Sequence, residues 1–125
     1  IKDNHITILG GIGEAVQKAK EAVSFTKKIE VEVKKPYESV EAAEAGADII
    51  MLDNMSPKEV EESIRLLEEK GLRTRVIVEV SGGINDRNIL DYARLNPDVI
   101  SIGSLTHSVK SADISLEITE VKGRS

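Results

Sequence analysis

The sequence predicts an α/β protein: a partial (β/α) barrel of parallel strands alternating with helices, followed by a C-terminal strand. Short apolar runs rich in β-branched residues alternate with segments of helical periodicity, which is typical of βαβ units and a parallel sheet. At least two of these runs are apolar on one face only. Glycine-bearing turns follow two of the predicted strands. Together these features favour a curved sheet with helices on its outer side.

The predicted strands are Ile29–Val33, Ile49–Leu52, Arg75–Val80 and Val99–Ile102. The division of apolar and polar residues between the two faces of each strand is informative, because an ordinary buried parallel strand is apolar on both faces. Glu30 and Glu32 instead share one face of the first run, and Glu79 lies opposite the valines of the third. A barrel explains this pattern if the valines face outer helices and the charges face the lumen. The alternative is an amphipathic strand at a solvated sheet edge.

Between the strands, helical spacing groups the apolar residues into four sets. The first contains Ile12, Val16, Ala19 and Val23, and a short second helix, with Val40, Ala43 and Ala47, should end near Gly46. Ser56-Pro57-Lys58-Glu59 resembles a capping box with proline at the first helical position. Its helix carries Val60, Ile64 and Leu67 and should stop at Gly71. We expect Asn85 to cap a helix with Ile89, Tyr92 and Ala93 that ends before Pro97.

The C-terminal tail leaves this repeating scheme, because Ile114–Val121 alternates apolar and polar residues as a strand does. The chain contains four clear βα units, whereas a closed barrel has about eight. An open half would expose two unpaired strand edges. We therefore expect residues 1–125 to be the C-terminal part of a larger barrel domain, or to associate so that these edges are covered.

Composition narrows the function classes. The chain has 125 residues, one ordinary domain, and its 17 basic and 22 acidic side chains give a net charge of −5 that argues against nucleic acid as a partner. No apolar run reaches the ~18 residues that a membrane span needs. Cysteine is absent and no signal-peptide pattern is present, which is compatible with a cytoplasmic location.

Ser81-Gly82-Gly83 directly follows a predicted strand, and Gly103-Ser104 follows the next one. A loop without Cβ atoms at a strand end lets backbone N–H groups approach an anion closely. Each segment alone is usually just a turn. Their repetition at equivalent places predicts one shared phosphate site.

Two carboxylates, Glu32 and Asp53, end adjacent predicted strands. Such a pair can hold a divalent cation directly or through water, bind ribose hydroxyls, or stabilise developing positive charge. Glu79 points the same way from a deeper position, so we expect it to support the pair. The alternative for Asp53 is that it caps a turn, with help from Asn54.

Lys2 and His107 are further candidates for binding an anion. Lys2 lies in the polar cluster Lys2-Asp3-Asn4-His5 and could pair with an anionic substrate, or the cluster could be a solvated terminus. His107 could contact a substrate carboxylate or only cap a helix. The glycine-rich segment Leu9–Gly13 is not expected to be a dinucleotide loop, because no clear strand precedes it.

In order along nearly the whole chain, these segments resemble quinolinate phosphoribosyltransferase, also called nicotinate-nucleotide pyrophosphorylase (carboxylating). The matching stretches are Ile1–His5, Ile29–Val33, Ala47–Met55, Ser81–Ile84, Asp98–Ser108 and Asp113–Leu116. The resemblance implies only the C-terminal part of that enzyme. The family's N-terminal α/β sandwich domain and first barrel units are not in this sequence.

The resemblance implies roles for individual residues. Lys2 matches a lysine that contacts the pyridine dicarboxylate, and His107 matches a histidine near the substrate carboxylate. Glu32 and Asp53 match the acidic pair facing the ribose and magnesium pyrophosphate of phosphoribosyl pyrophosphate, so Mg²⁺ is the implied cofactor. The implied 5′-phosphate loops consist of Ser81, Gly82 and Gly83 together with Gly103 and Ser104.

The implied reaction joins quinolinate to phosphoribosyl pyrophosphate and yields nicotinate mononucleotide, carbon dioxide and pyrophosphate in NAD biosynthesis. The family works as a homodimer or higher oligomer, and its arginine-rich quinolinate pocket comes from the N-terminal portion and a partner. We therefore expect this chain alone to be inactive. Lys34 departs from the family, which commonly has Asp or Asn there, and this changes the local polarity of that loop but not Glu32.

Two other functions stay open at this point. One is a related phosphoribosyltransferase that acts on another heterocycle, and the other is a non-catalytic, phosphate-binding half-barrel.

Overall fold

The computed structural model describes residues 1–103, which form a four-stranded sheet with helices between the strands. The strands are β1 (Glu30–Val33), β2 (Ile49–Asp53), β3 (Ile77–Ser81) and β4 (Val99–Ser101). The helices are α1 (Asp3–Leu9), α2 (Ile12–Ala22), α3 (Pro36–Ala45), α4 (Pro57–Glu69) and α5 (Ile89–Ala93), with a 3₁₀ helix at Arg73–Arg75.

The sheet order is β1-β2-β3-β4, and every neighbouring pair is parallel. The helices pack side by side in chain order. Neighbours in sequence are therefore neighbours in space, as expected for consecutive βα units. This confirms the predicted α/β class with parallel strands alternating with helices.

The core lies between the sheet and the helices. One face of the sheet is buried there through Val31, Val33, Ile50, Leu52, Val78 and Val80, each no more than 1% exposed. The helices contribute Val16, Ala42, Val60 and Leu67, none of them exposed. The predicted placement of the strand valines against helices is confirmed.

The other sheet face carries the polar residues, and we call it the open face. Register aligns Glu32 with Met51, Met51 with Glu79, and Glu79 with Val99 in one row. The next row toward the carboxyl ends contains Asp53, Ser81 and Ser101. Residues that alternate along each strand therefore lie on opposite faces of the sheet: apolar residues face the core, and acids and hydroxyls lie on the open face.

Helix ends follow the predicted signals closely. Gly46 ends α3 with a left-handed φ of 90°, which glycine adopts without penalty. The Ser56 hydroxyl accepts the Glu59 N–H at 3.4 Å while Glu59 accepts the Ser56 N–H at 2.8 Å, so the predicted capping box is present. After α4, Gly71 has a φ of 67° at the predicted stop.

The other strand ends differ from the prediction by at most one residue, and three differences are larger. β3 begins at Ile77 rather than Arg75, because Arg73–Arg75 forms the 3₁₀ helix. α5 begins at Ile89 rather than just after Asn85, since the Asn85 side chain accepts the Arg87 N–H at 2.9 Å and closes a local turn first. α1 was not anticipated from the polar sequence at its start. The strand predicted at Ile114–Val121 lies outside the described residues.

Two other observations complete the fold. Leu9–Gly13 lies at the junction of α1 and α2, so a helix leads into it where a dinucleotide loop would follow a strand. Within residues 1–103, no helix has the length and apolar character needed to cross a bilayer.

Equivalent aspartates bind the amino-terminal ends of two strand pairs. Asp48 accepts the Ile29 N–H at 2.8 Å, and Asp98 accepts the Val78 N–H at 2.7 Å. Arg73 also donates to Asp98 at 2.8 Å. Burial raises the pKa of the Asp98 carboxyl, but the bonds from Arg73 and Val78 outweigh it and leave this pKa below its ordinary value. These carboxylates therefore stabilise the fold in their charged form.

Asp98→Asn should lower the melting temperature at pH 7 by about 5 °C, because an amide replaces a charged acceptor. Because the pKa of the Asp98 carboxyl is lowered in the folded state, its stabilising contribution is fully present at pH values above the ordinary aspartate pKa of about 4. The contribution is lost as the pH falls through the pKa of the folded state. Urea unfolding of the chain from pH 7 to pH 2 checks this. The variant should lose less stability on acidification than the wild type; equal losses would contradict the prediction.

Candidate active site

The sequence-predicted residues converge at the carboxyl edge of the sheet. Asp53 lies beside Ser81 in the register, and Ser81 lies beside Ser101. Glu32 lies one row deeper, on the same open face. The carboxyl ends of parallel strands meet at one edge, so these side chains share one surface although they are distant in sequence.

Lys2 joins this surface through the backbone of its neighbour. The Ile1 amino group donates to the Glu30 carbonyl, and the Ile1 carbonyl accepts the Glu32 N–H at 2.9 Å, as in a parallel strand pair. This pairing sets Lys2 next to Glu32, with the Lys2 Nζ 3.9 Å from a Glu32 carboxylate oxygen. The backbone before Lys2 is therefore paired with β1, while the Lys2 side chain is largely exposed beside Glu32.

The loop after β1 has a second ion pair. Lys34 donates to Asp3 at 2.7 Å, and this bond, with the one from the Asn4 N–H, lowers the pKa of the Asp3 carboxyl. Lys34 and Lys35 also donate their backbone N–H groups to Glu38, at 2.8 and 3.0 Å. Lys34, the lysine that departs from the family pattern, thus has its positive charge paired with the carboxylate of Asp3.

The surroundings of Glu32 disfavour the charged form of its carboxyl group. Its side chain is only 16% exposed. Burial raises the pKa of the Glu32 carboxyl above its ordinary value, and the nearby negative charge of Asp53 raises it further. Lys2 acts in the opposite direction but does not cancel these effects. A cation or a developing positive charge at this place would relieve the repulsion between the two carboxylates.

Glu79 lies in the same row as Glu32, two strands away. The Ser101 hydroxyl donates to a Glu79 carboxylate oxygen. Glu79 is therefore held against β4, level with Glu32 and one row deeper only than Asp53, and its supporting role stays a prediction. Ser101 was missed by sequence reasoning, because only the pairing of β3 with β4 brings its hydroxyl within reach of Glu79, whose own register partner is Val99.

The Ser81-Gly82-Gly83 loop turns sharply at the end of β3. Gly82 and Gly83 have φ values of 88° and 66°, a left-handed backbone that side chains disfavour. Asn88 accepts the Asn85 N–H at 2.8 Å and donates to the Gly83 carbonyl at 3.0 Å. The loop is thus fixed by the turn that leads into α5.

Asn54 is the other residue that sequence reasoning underestimated. Its side-chain nitrogen donates to Asp53 at 2.9 Å, and its backbone N–H donates to the Ser81 carbonyl at 2.9 Å. The sequence offered only one signal, an asparagine directly after a strand-end aspartate. Its contact with the next strand depends on the fold.

Gly103 follows β4 at the same edge, two residues after Ser101. Ser104 and His107 lie outside the described residues, so their predicted roles stay predictions. Of the nine predicted site residues, the structure brings together Lys2, Glu32, Asp53, Ser81, Gly82, Gly83 and Gly103 at one edge.

A groove of about 630 Å³ lies elsewhere, on the helix side of the molecule. Residues of α4 line it together with Pro36, Arg94 and Leu95. Its charged lining includes Arg65, which donates to Glu62 at 2.7 Å and also to Glu69. Because none of the strand-end residues lines this groove, we place the candidate site on the open face.

The donor set allows a magnesium ion only with help from a ligand. No cluster of three or more acidic, histidine or cysteine side chains suited to a metal occurs in the described part of the chain. Glu32 and Asp53 provide two carboxylates close enough to repel each other. Mg²⁺ commonly binds through one or two carboxylates while substrate phosphates and water complete its shell, so the pair fits that mode of binding.

The fold and site define an α/β protein whose acids, lysine and glycine loop gather at the carboxyl edge of a parallel sheet. Residues 1–117 match the family described as "Quinolinate phosphoribosyl transferase, C-terminal domain". The chain belongs to this family.

Known relatives agree with this assignment. A probable nicotinate-nucleotide pyrophosphorylase [carboxylating] of Methanocaldococcus jannaschii is 59% identical over 120 residues, which cover 94% of this chain and 42% of the relative. The human nicotinate-nucleotide pyrophosphorylase [carboxylating] is 42% identical over 94% of this chain and 39% of its own length. A nicotinate-nucleotide pyrophosphorylase structure from Francisella tularensis superposes with a TM-score of 0.77 and 41% identity, covering 88% of this chain and 37% of that one. The chain thus spans less than half the length of these relatives.

Glu32→Gln should raise the melting temperature of the chain at pH 7 by about 3 °C. A raised pKa of the Glu32 carboxyl means that its ionisation opposes folding. The wild type therefore loses stability as the pH rises from the ordinary glutamate pKa through the higher pKa of the folded state. The uncharged amide avoids that loss. Thermal unfolding followed by circular dichroism checks it.

Asp3→Asn is the matched control, because the pKa of the Asp3 carboxyl is lowered and its charge favours the fold. It should not raise the melting temperature. A Glu32→Gln variant that melts below the wild type would contradict the proposed repulsion.

Proposed function

We propose that this chain provides the phosphoribosyl-transfer site of a quinolinate phosphoribosyltransferase. The complete enzyme would convert quinolinate and phosphoribosyl pyrophosphate to nicotinate mononucleotide, carbon dioxide and pyrophosphate. The observation that carries the proposal is the common edge occupied by Lys2, the Glu32–Asp53 pair and the Ser81–Gly83 loop. Membership of the family and the names of its relatives support the choice of substrates.

The acidic pair suits the ribose. In this reaction the ring nitrogen of the pyridine attacks the anomeric carbon as pyrophosphate leaves, and positive charge develops on the sugar. Glu32 and Asp53 already repel each other. Positive charge beside them is therefore stabilised more than in water, which lowers the barrier to ribosyl transfer.

The glycine loop suits the 5′-phosphate. Gly83 has a left-handed backbone and no atom within 4 Å of its Cβ position, so an anion can approach the loop closely there. Asp53 and Ser81 are register partners. One ribose with its 5′-phosphate can therefore span the loop and the carboxylates.

Lys2 suits the anionic pyridine. Its side chain is 72% exposed and lies 3.9 Å from Glu32, so the ammonium group can reach a ligand beside the acidic pair. Attraction of a carboxylate by this point charge would orient the ring toward the ribose. Further basic groups for a dicarboxylate would come from outside this chain.

Mg²⁺ would be held by Glu32 and Asp53, directly or through water, together with pyrophosphate oxygens, and when bound it would offset charge on the leaving group. We further propose a cytoplasmic location, action as a homodimer or higher oligomer, and no nucleic-acid or membrane partner. The net charge of −5 supports the absence of a nucleic-acid partner.

The test is an assay of the complete gene product that contains this sequence, with quinolinate and phosphoribosyl pyrophosphate, following nicotinate mononucleotide. Glu32→Ala and Asp53→Ala should each lower turnover about 10²–10³-fold, because each removes an electrostatic stabiliser of the transition state. Circular dichroism should show an intact fold. Unchanged turnover in either variant would remove that residue from the mechanism.

Residues 1–125 by themselves should not turn over quinolinate, since the chain spans only 42% of its M. jannaschii relative and lacks the remaining basic groups. The same assay with purified chain checks this, and any turnover would contradict it. Replacing quinolinate with nicotinate or another heterocycle in the complete protein tests the related-transferase alternative. Phosphate binding without any turnover by the complete protein would favour the non-catalytic half-barrel.

A further inference from the structure

The turn after β2 contains a residue that contacts both the acidic pair and the glycine loop. Asn54 is bonded to Asp53 through its side chain and to Ser81 through its backbone. Its backbone N–H continues the β2–β3 ladder one residue past the end of β2. Its geometry sets where the Asp53 carboxylate lies relative to the loop.

The backbone of Asn54 is left-handed, with a φ of 53°. Asparagine tolerates this conformation better than most residues with a side chain. The turn directs the Asn54 N–H to the Ser81 carbonyl at 2.9 Å. The chain leaving β2 is therefore tied to the first residue of the glycine loop.

The side chain of Asn54 controls the carboxylate. An ionised carboxylate only accepts hydrogen bonds, so the Asn54 amide nitrogen faces Asp53 and donates to its Oδ1 at 2.9 Å. This bond restricts rotation of the Asp53 side chain. It holds one carboxylate oxygen in place at the carboxyl edge of the sheet.

Gly82 packs directly against the same amide. A Cβ atom at position 82 would lie 2.5 Å from Asn54 Oδ1 and 2.6 Å from its Cγ. Both distances are shorter than real Cβ atoms show, so only glycine admits the Asn54 side chain here. The amide is thereby confined between the Asp53 carboxylate and the backbone of the loop.

The next residue anchors the turn in the core. Met55 is 2% exposed, and its carbonyl accepts a hydrogen bond from the Tyr92 hydroxyl at 3.0 Å. The turn that contains Asn54 is therefore bonded both to α5, through Tyr92, and to β3, through Ser81. Contacts at these points restrict the geometry of the turn before any ligand binds.

We propose that Asn54 is a positioning residue for phosphoribosyl transfer, fixing the Asp53 carboxylate at a set distance from the Ser81–Gly83 loop. The inference rests on the proposed function. The anomeric carbon and the 5′-phosphate belong to one sugar, so a loop that holds the phosphate also fixes the carbon. A carboxylate displaced by about 1 Å from that carbon loses much of its effect on the transition state.

Asn54→Gly in the complete gene product tests this role, because glycine keeps the left-handed turn and removes only the amide. We expect kcat to fall about 10-fold while KM for quinolinate stays within about twofold, since Asn54 acts on the reacting centre and not on the pyridine. Asn96→Gly is the matched control: Asn96 also has a φ of 53° but lies beyond the other end of the sheet, just before β4. It should leave kcat unchanged.

A second comparison separates positioning from a general structural effect. In an Asp53→Ala background, Asn54→Gly should cause no further loss of residual turnover, because the carboxylate that it positions is gone. A further 10-fold loss in that background, or an unchanged kcat in the single variant, would overturn the inference.

Thermal unfolding tests the contact independently of activity. Gly82→Ala should lower the melting temperature by about 5 °C through the clash with Asn54 and the left-handed φ. Adding Asn54→Gly removes the clash, so the double variant should melt higher than the sum of the two single effects predicts. Strict additivity would overturn the proposed packing.

The two proposals fail in different ways. A wild-type gene product that makes no nicotinate mononucleotide overturns the proposed function, and the role of Asn54 with it. A wild type that turns over quinolinate while Asn54→Gly behaves like Asn96→Gly overturns only the role of Asn54.

Discussion

Parallel pairing of β1 to β4 is the constraint on which the molecule depends. It brings every strand to the same carboxyl edge and gives each strand one face against the helices. Apolar residues at alternate positions bury against α2, α3 and α4, and this burial is the main stabilising contribution to the fold. The remaining positions point away from the helices. Acids and hydroxyls can therefore gather on the open face without disturbing the core.

Carboxylates lie at both ends of the sheet, but their charge has opposite effects on stability at the two ends. At the amino ends, Asp48 and Asp98 accept backbone N–H groups, and the pKa of each carboxyl is lowered. At the carboxyl edge, burial and Asp53 raise the pKa of the Glu32 carboxyl. Charge thus stabilises the fold at one end and opposes it at the other. Stored repulsion of this kind is characteristic of sites that bind or stabilise positive charge.

The position of the site also bears on the proposal that the complete enzyme is longer than this chain. The open face includes Ile77 and Val99, which are 40% and 41% exposed beside the acids. Relatives of the chain are more than twice as long. In the proposed enzyme, residues beyond this sequence would enclose that face and exclude water. The enclosure would strengthen the electrostatic effects of Glu32 and Asp53.

Local sequence determined the elements and their polarity. The strand alternation around Glu32 and Glu79, the capping box at Ser56 and the stop at Gly46 depend on neighbouring residues, so each could be predicted directly. Boundaries at Arg75 and Asn85 were wrong by a few residues, because side-chain bonds and a 3₁₀ turn compete with the regular element. Tertiary structure alone decided the contacts between strands. The pairing of Ile1 with β1, the bond from Ser101 to Glu79 and the packing of Asn54 on Gly82 all join residues far apart in sequence, and only the register brings them within reach.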